Sequence, residues 1–178
     1  MRDVSLVIGS TGLVGSRLIN ELAIKGNHVI AVSRRPLEDL PDNVEVLNIN
    51  FEEFLENGIC PNCDHLYICL GTTIKKAGSK KDFRRIDLDY CVSFAKKAKE
   101  TGATKISLIS SIGTNIESKN FYLQTKGELE EAIKNIDFQK IHIFRPGLLI
   151  GDRNEIRYLE KFGQYFSLLI NTILVGPL

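Results

Sequence analysis

Tyr122 and Lys126 stand four residues apart, with the pair Ser110-Ser111 a short way upstream. Positions i and i+4 of a helix share a face, so the phenol and the ammonium can reach one small molecule together. A positioned phenol gives a proton to, or takes one from, a carbonyl or alcohol oxygen. A neighbouring cation favours the phenolate, and the same ammonium can bond ribose hydroxyls. Ser111 can hold the substrate oxygen. Such a set moves protons, and the hydride that would complete a redox step must come from a cofactor. The plainer alternative is a half-buried tyrosine and a solvated lysine.

The first helix opens on a glycine loop, Gly9-Ser10-Thr11-Gly12-Leu13-Val14-Gly15. Gly9 permits a tight turn, Gly12 lets backbone approach a diphosphate, and Gly15 lets helix pack closely on strand. The helix start then offers free amides and a partial positive charge. The spacing is GxxGxxG, so its position between a strand and a helix carries more than its letters. The second strand ends Ser33-Arg34-Arg35. No carboxylate stands there for a ribose 2′-hydroxyl. Two guanidinium groups and a hydroxyl suit a 2′-phosphate instead, which predicts NADP(H) in preference to NAD(H). Solvated arginines paired with Glu38 or Asp39 are the alternative. Asn50, followed by Phe51, suits either an adenine contact or a helix cap.

These residues need a frame. Apolar runs at 4–8, 28–33, 44–49, 65–70, 105–110 and 141–144 read as strands, several of them covered on both faces. Amphipathic stretches at 13–25, 81–100, 121–135 and 155–169 read as helices. The alternation predicts a Rossmann-type, doubly wound parallel sheet of about six strands in the order 3-2-1-4-5-6, with helices on both faces. Residues 1–178 then form one domain, with 153–178 a short substrate-side segment. In such a sheet ligands bind beyond the carboxyl ends of the strands. That edge gathers the glycine loop, the arginines, Ser111 and the Tyr122 helix.

Composition sets the outer limits. The chain is 43% hydrophobic and 25% charged with a formal charge of +1. It offers no electrostatic case for nucleic acid or an acidic membrane, and no run approaches the ~18 apolar residues of a membrane span. The amino terminus enters a strand pattern at Val4, leaving no room for a signal peptide. Four cysteines without a disulfide spacing suit a reducing cytosol, and the expected location is cytoplasmic. Cys60-Pro61-Asn62-Cys63 precedes a strand and has no second CxxC, so neither zinc nor thioredoxin-like chemistry is expected. His28, His65 and His142 read as structural, and Lys75, Lys76, Lys80 and Lys81 as a solvated loop.

The combination resembles the atypical branch of the short-chain dehydrogenase/reductase superfamily, and within it the Tat-interacting-protein-like oxidoreductases. Carrying the resemblance are Cys69-Leu70-Gly71-Thr72-Thr73, Lys76-Ala77-Gly78-Ser79, Phe83 with Asp87, and Leu108-Ile109-Ser110-Ser111. The run from Tyr122 to Glu128, Phe144-Arg145-Pro146-Gly147 and Gly151-Asp152-Arg153 continue it. The resemblance implies that NADPH lies across the strand edge. Leu70, Gly71, Thr72 and Ser110 would then belong to its binding site, Gly71 and Thr72 against the ribose and phosphates. Pro146 and Gly147 would lie near the nicotinamide, and Ser111, Tyr122 and Lys126 match the Ser–Tyr–Lys triad. The superfamily's usual asparagine on the helix after the fourth strand has no counterpart; Asp87 occupies that neighbourhood. Relatives of this kind also continue with a further strand and helix. Here an apolar segment at 166–175 comes last, leaving open a missing piece, a minimal substrate lobe, or a partner subunit such as that of a homodimer. The expectation is an NADPH-dependent oxidoreductase acting on a small-molecule carbonyl or alcohol. The alternatives are a non-catalytic NADP(H)-binding sensor or interaction protein, and an epimerase using transient oxidation.

Overall fold

Among the described residues, every strand joins a single sheet. The computed structural model describes residues 3–147 and Leu149. Six strands, β1 Val4–Ile8, β2 His28–Ser33, β3 Val44–Asn48, β4 His65–Ile68, β5 Lys105–Ile109 and β6 Lys140–Phe144, pair in the order β3-β2-β1-β4-β5-β6. Every pairing is parallel. The order reverses between β1 and β4, where a doubly wound sheet opens its ligand crevice.

Alternation along the strands divides the core. Leu6, Ile8, Ile30, Val32, Leu66, Ile68, Ile106 and Leu108 face one way. They pack on α2 Phe51–Asn57, α5 Cys91–Glu100 and α6 Phe121–Lys134 through Phe54, Phe94, Leu129 and Ile133. Val7, Val29 and Ala31 face the other way, onto Ile19 and Leu22 of α1 Leu13–Ile24. Each buried aliphatic side chain contributes about 1.5–3 kcal/mol, so the two layers hold the helices against both faces of the sheet.

The expected helix over 81–100 is not one α-helix. Two short helices, α3 Ile74–Ala77 and α4 Lys80–Arg84, lead into a π-helical turn at Arg85–Tyr90, and α5 follows. Thr73 and Ser79 cap the short helices by accepting from the amides of Lys76 and Asp82. Phe83 before the π turn and Phe94 after it both stay fully buried. Between them the wider turn brings a carboxylate, Asp87, into the interior. Insertions of this kind occur often at functional sites. The expected helix at 155–169, and the segment 153–178 to which it belongs, lie outside the described residues.

Candidate active site

β1 ends at Ile8 and the chain turns at once. Gly9 adopts φ +80°, and its carbonyl accepts from the Gly12 amide at 3.0 Å. A Cβ on Gly9 would lie 2.4 Å from the backbone of Cys69 and Leu70, so the loop also sits tight against the exit of β4. A Cβ on Gly15 would lie 2.2 Å from the Gly9 carbonyl oxygen, which explains why α1 can start directly above the turn. Gly12 begins α1 without a side-chain cap, and the first turn carries no acidic residue. Its amides and dipole therefore remain open to an anion. Ser10 is buried and donates to the Val32 carbonyl at 2.6 Å, fastening the loop to β2. Thr11 is exposed, Leu13 buried and Val14 half-buried. This cradle fits a diphosphate.

Ser33, also buried, accepts from the Arg35 amide at 3.1 Å and so shapes the turn that carries the arginines. Arg34 and Arg35 are exposed, and among the described residues neither has an ion-pair partner, Glu38 and Asp39 included. Asn50 caps α2, accepting from the Glu52 amide at 2.9 Å. Phe51 turns its ring into the core, stacked on Tyr90 at 5.2 Å between centroids; its backbone alone is left for a ligand. Glu52 accepts from Arg85 and from the Tyr90 hydroxyl at 2.5 Å. The Arg85 bonds first, then Tyr90, draw the Glu52 pKa down to about 2. One side of the π turn is thereby tied to α2.

The other side faces Lys126. Asp87 is fully buried; its Oδ1 lies 2.8 Å from Lys126 Nζ, and its Oδ2 accepts from the Thr72 amide at 2.8 Å. A Cβ on Gly71 would stand 3.2 Å from Asp87 Oδ1 and 3.5 Å from Lys126 Nζ. Leu70 is half-buried and Gly71 exposed, so a contiguous wall runs from the glycine loop past Cys69 and Gly71 to Lys126. Burial is the largest influence on Lys126 and opposes its charge. Asp87, with smaller help from Cys91 and Tyr122, outweighs it and leaves the pKa above that of an ordinary lysine. The sequence marked Asp87 as standing where an asparagine is usual, and missed that it neutralises the lysine. Its signal was a carboxylate on the buried face of a helical pattern.

Tyr122 is half-buried at the start of α6, with its ring 5.5 Å from that of Phe83. Asn120 caps the helix, accepting from the amides of Tyr122 and Leu123. Ser111 is half-buried beyond the end of β5, its hydroxyl turned toward the Ile112 carbonyl at 3.4 Å. Ser110 points elsewhere: it is buried and donates to Glu130 at 2.5 Å. Glu130 also accepts from Arg145 Nε at 3.0 Å and from its Nη2. Burial would raise the Glu130 pKa, but Arg145 and then Ser110 hold it below the usual carboxylate value. Glu130 continues the Tyr122–Lys126 spacing by another four residues, a signal the sequence carried unread. Pro146 accepts from the Ile112 amide at 3.0 Å, drawing the ends of β5 and β6 together. Gly147 is exposed beside it. Cys60 and Cys63 sit buried in the main core, and among the described residues no three potential metal ligands cluster.

A glycine turn at the switch point of a doubly wound parallel sheet, opening on a helix start without a side-chain cap, is the arrangement of a Rossmann-type dinucleotide-binding domain. Residues 9–166 match the model of an NAD(P)H-binding family, and the chain belongs to that family. It is 35% identical over 166 residues to Protein HTATIP2 of Rattus norvegicus, covering 90% of this chain and 68% of the relative. Protein FMP52, mitochondrial, of Debaryomyces hansenii is 36% identical over 157 residues, covering 85% and 69%. The resemblance to Tat-interacting-protein-like proteins is thus borne out. Among solved structures, a short-chain dehydrogenase from Streptomyces avermitilis superposes with a TM-score of 0.70 at 19% identity, over 94% of this chain and 78% of its own. Human epimerase family protein SDR39U1, solved with NADPH, gives 0.65 at 18%, over 93% and 60%. At these identities the structures speak for the fold. Among the described residues no helix is long and apolar enough to cross a membrane.

Proposed function

We propose that the chain is an NADP(H)-dependent oxidoreductase that reduces a carbonyl or oxidises an alcohol on a small molecule. The observation that carries the reading is the shared edge. An uncapped glycine loop, two arginines without an ion-pair partner among the described residues, and Ser111, Tyr122 and Lys126 all stand at the carboxyl ends of the strands. Arg34 and Arg35 would grip the 2′-phosphate, with Ser33 shaping their turn. The amides of 12–15 would hold the diphosphate, Gly71 and Thr72 the ribose side, and Asn50 with the Phe51 backbone the adenine. Pro146 and Gly147 would border the nicotinamide, which when bound supplies or accepts the hydride. Tyr122 would exchange the proton with the substrate oxygen, Ser111 would hold that oxygen, and Lys126 would orient the ribose. Solved neighbours carry NADPH in SDR39U1 and NAD in Bordetella bronchiseptica WbmH, so the choice of NADP(H) rests on Arg34 and Arg35 alone. We read the protein as cytoplasmic, with a small-molecule substrate and no nucleic-acid or membrane partner. Imaging the tagged full-length chain tests that location against the mitochondrial one in the fungal relatives' names.

Two measurements test the function. Arg34→Ala should weaken NADPH by tenfold or more and leave NADH nearly unchanged; equal losses sink the assignment of the 2′ site. NADPH oxidation across aldehydes, ketones and quinones should vanish in Tyr122→Phe, and turnover surviving that change would remove Tyr122 from the reaction. One observation favours a second reading, a non-catalytic NADP(H) sensor: Lys126 is paired to Asp87, so its charge is compensated before any substrate arrives. Tight NADPH binding without turnover across the panel would select it.

A further inference from the structure

We infer that Glu130 is the positioning residue of this site, a buried carboxylate that fixes where Ser111 and Pro146-Gly147 stand. The inference rests on reading that edge as the nicotinamide end. Three chain segments meet on this side chain. Ser110, next to Ser111 in sequence, donates its hydroxyl to Oε1 at 2.5 Å. Arg145, next to Pro146, donates from Nε to Oε1 at 3.0 Å and from Nη2 to Oε2. Glu130 itself lies one turn past Lys126 and two past Tyr122 on α6, so the three share a helix face.

The energetics suit a clamp. Glu130 is 2% exposed, and a buried carboxylate is tolerated where charge-assisted bonds replace its water. Arg145 meets it with two donors of a planar fork, which fixes direction as well as distance. Around the clamp the backbone closes on itself: Ser110 N donates to the Phe144 carbonyl at 2.8 Å and Ile112 N to the Pro146 carbonyl at 3.0 Å. Thr114 Oγ1 donates to the Ser111 carbonyl at 2.6 Å and lies 3.3 Å from Ser110 Oγ. Reacting groups displaced by about 1 Å can lose rate a hundredfold, so a side chain that touches neither cofactor nor substrate can still govern the site.

The test uses the full chain carrying Glu130→Gln, which keeps shape and removes charge, with Arg145→Lys as a second variant at a half-exposed position. Amide hydrogen exchange should accelerate at least tenfold over 109–114 and 143–147 while β1, α1 and β2 exchange as before. Adenosine 2′,5′-bisphosphate should bind within twofold of the parent, and NADPH should weaken fivefold or more with loss of its bound fluorescence. Exchange that is unchanged, or raised evenly across the fold, overturns the inference, as does an equal loss of both nucleotides. If neither nucleotide binds the parent chain and the exchange effect is still local, the cofactor reading fails and the clamp stands.

Discussion

Asp87 and Lys126 show how much can hang on one pair of atoms. Both side chains are buried, and each is the other's charge compensation. Replacing such a pair with apolar residues can be neutral, but removing one partner strands a charge in the interior at a cost of about 3–5 kcal/mol. Asp87→Ala should therefore lose about that much stability in urea unfolding, and Asp87→Leu combined with Lys126→Met should recover most of it. A double variant no more stable than the single one would contradict this account. The pair also has a pH signature. The folded state holds the Lys126 proton more tightly than the unfolded chain does. Its contribution is complete below the ordinary lysine pKa of about 10.4 and drains away as pH rises beyond it, so the alkaline limb of the stability curve should flatten in the double variant. The sequence displayed Tyr122, Lys126, Ser111 and Asp87 plainly. It hid who bonds to whom, because Asp87 reaches Lys126 only once a π turn has placed it.

Elements carry the next layer, and glycines separate two kinds of constraint there. Gly26 ends α1 at φ +83°, and a side chain there would meet nothing within 4 Å, so Gly26→Ala should cost about 1–2 kcal/mol from backbone strain alone. Gly15 has an ordinary helical backbone, but a methyl group on it would collide with the Gly9 carbonyl. Relief requires α1 or the loop to move, so Gly15→Ala should cost about 1–3 kcal/mol and also remove NADPH binding, read by calorimetric titration. A Gly15→Ala protein that binds NADPH normally would show that the loop's closeness to the helix is incidental. Asn120→Ala, which strips the cap of α6, should cost about 1 kcal/mol. Most elements were legible because parallel strands buried on both faces leave unbroken apolar runs, and each observed strand falls within a residue or two of its run. The stretch at 81–100 reads as one helix because α and π turns share nearly the same apolar spacing over so few residues. The difference lies in tertiary contacts from Glu52, Thr72 and Lys126, which no local pattern encodes.

For the molecule as a whole, the two ends of the sheet divide the labour. The carboxyl edge gathers the groups proposed to bind and react, whereas the amino edge holds a small polar cluster around His65. His65 on β4 lies 2.9 Å from Ser107 Oγ through Nε2, and its ring stacks on Tyr67 at 3.9 Å and stands 6.2 Å from His142. Desolvation first, then the nearby charges of His142 and Lys105, bring its pKa down to about 4, with Asp3 opposing weakly. An unfolded histidine takes its proton near pH ~6.5, so between there and about 4 the unfolded chain binds a proton that the folded one refuses. Folding stability should be full above that window and should fall steadily as pH descends through it. His65→Gln keeps a polar partner for Ser107 but cannot titrate, and it should flatten the slope of unfolding free energy against pH across the window. The carboxyl edge should not notice: NADPH affinity at neutral pH is expected to match the parent's. If instead His65→Gln leaves the acid slope intact, the acid sensitivity resides elsewhere and His65 is protonated in the folded protein. If it weakens NADPH at neutral pH, the two edges are coupled through the sheet, and the division of labour argued for this fold is wrong.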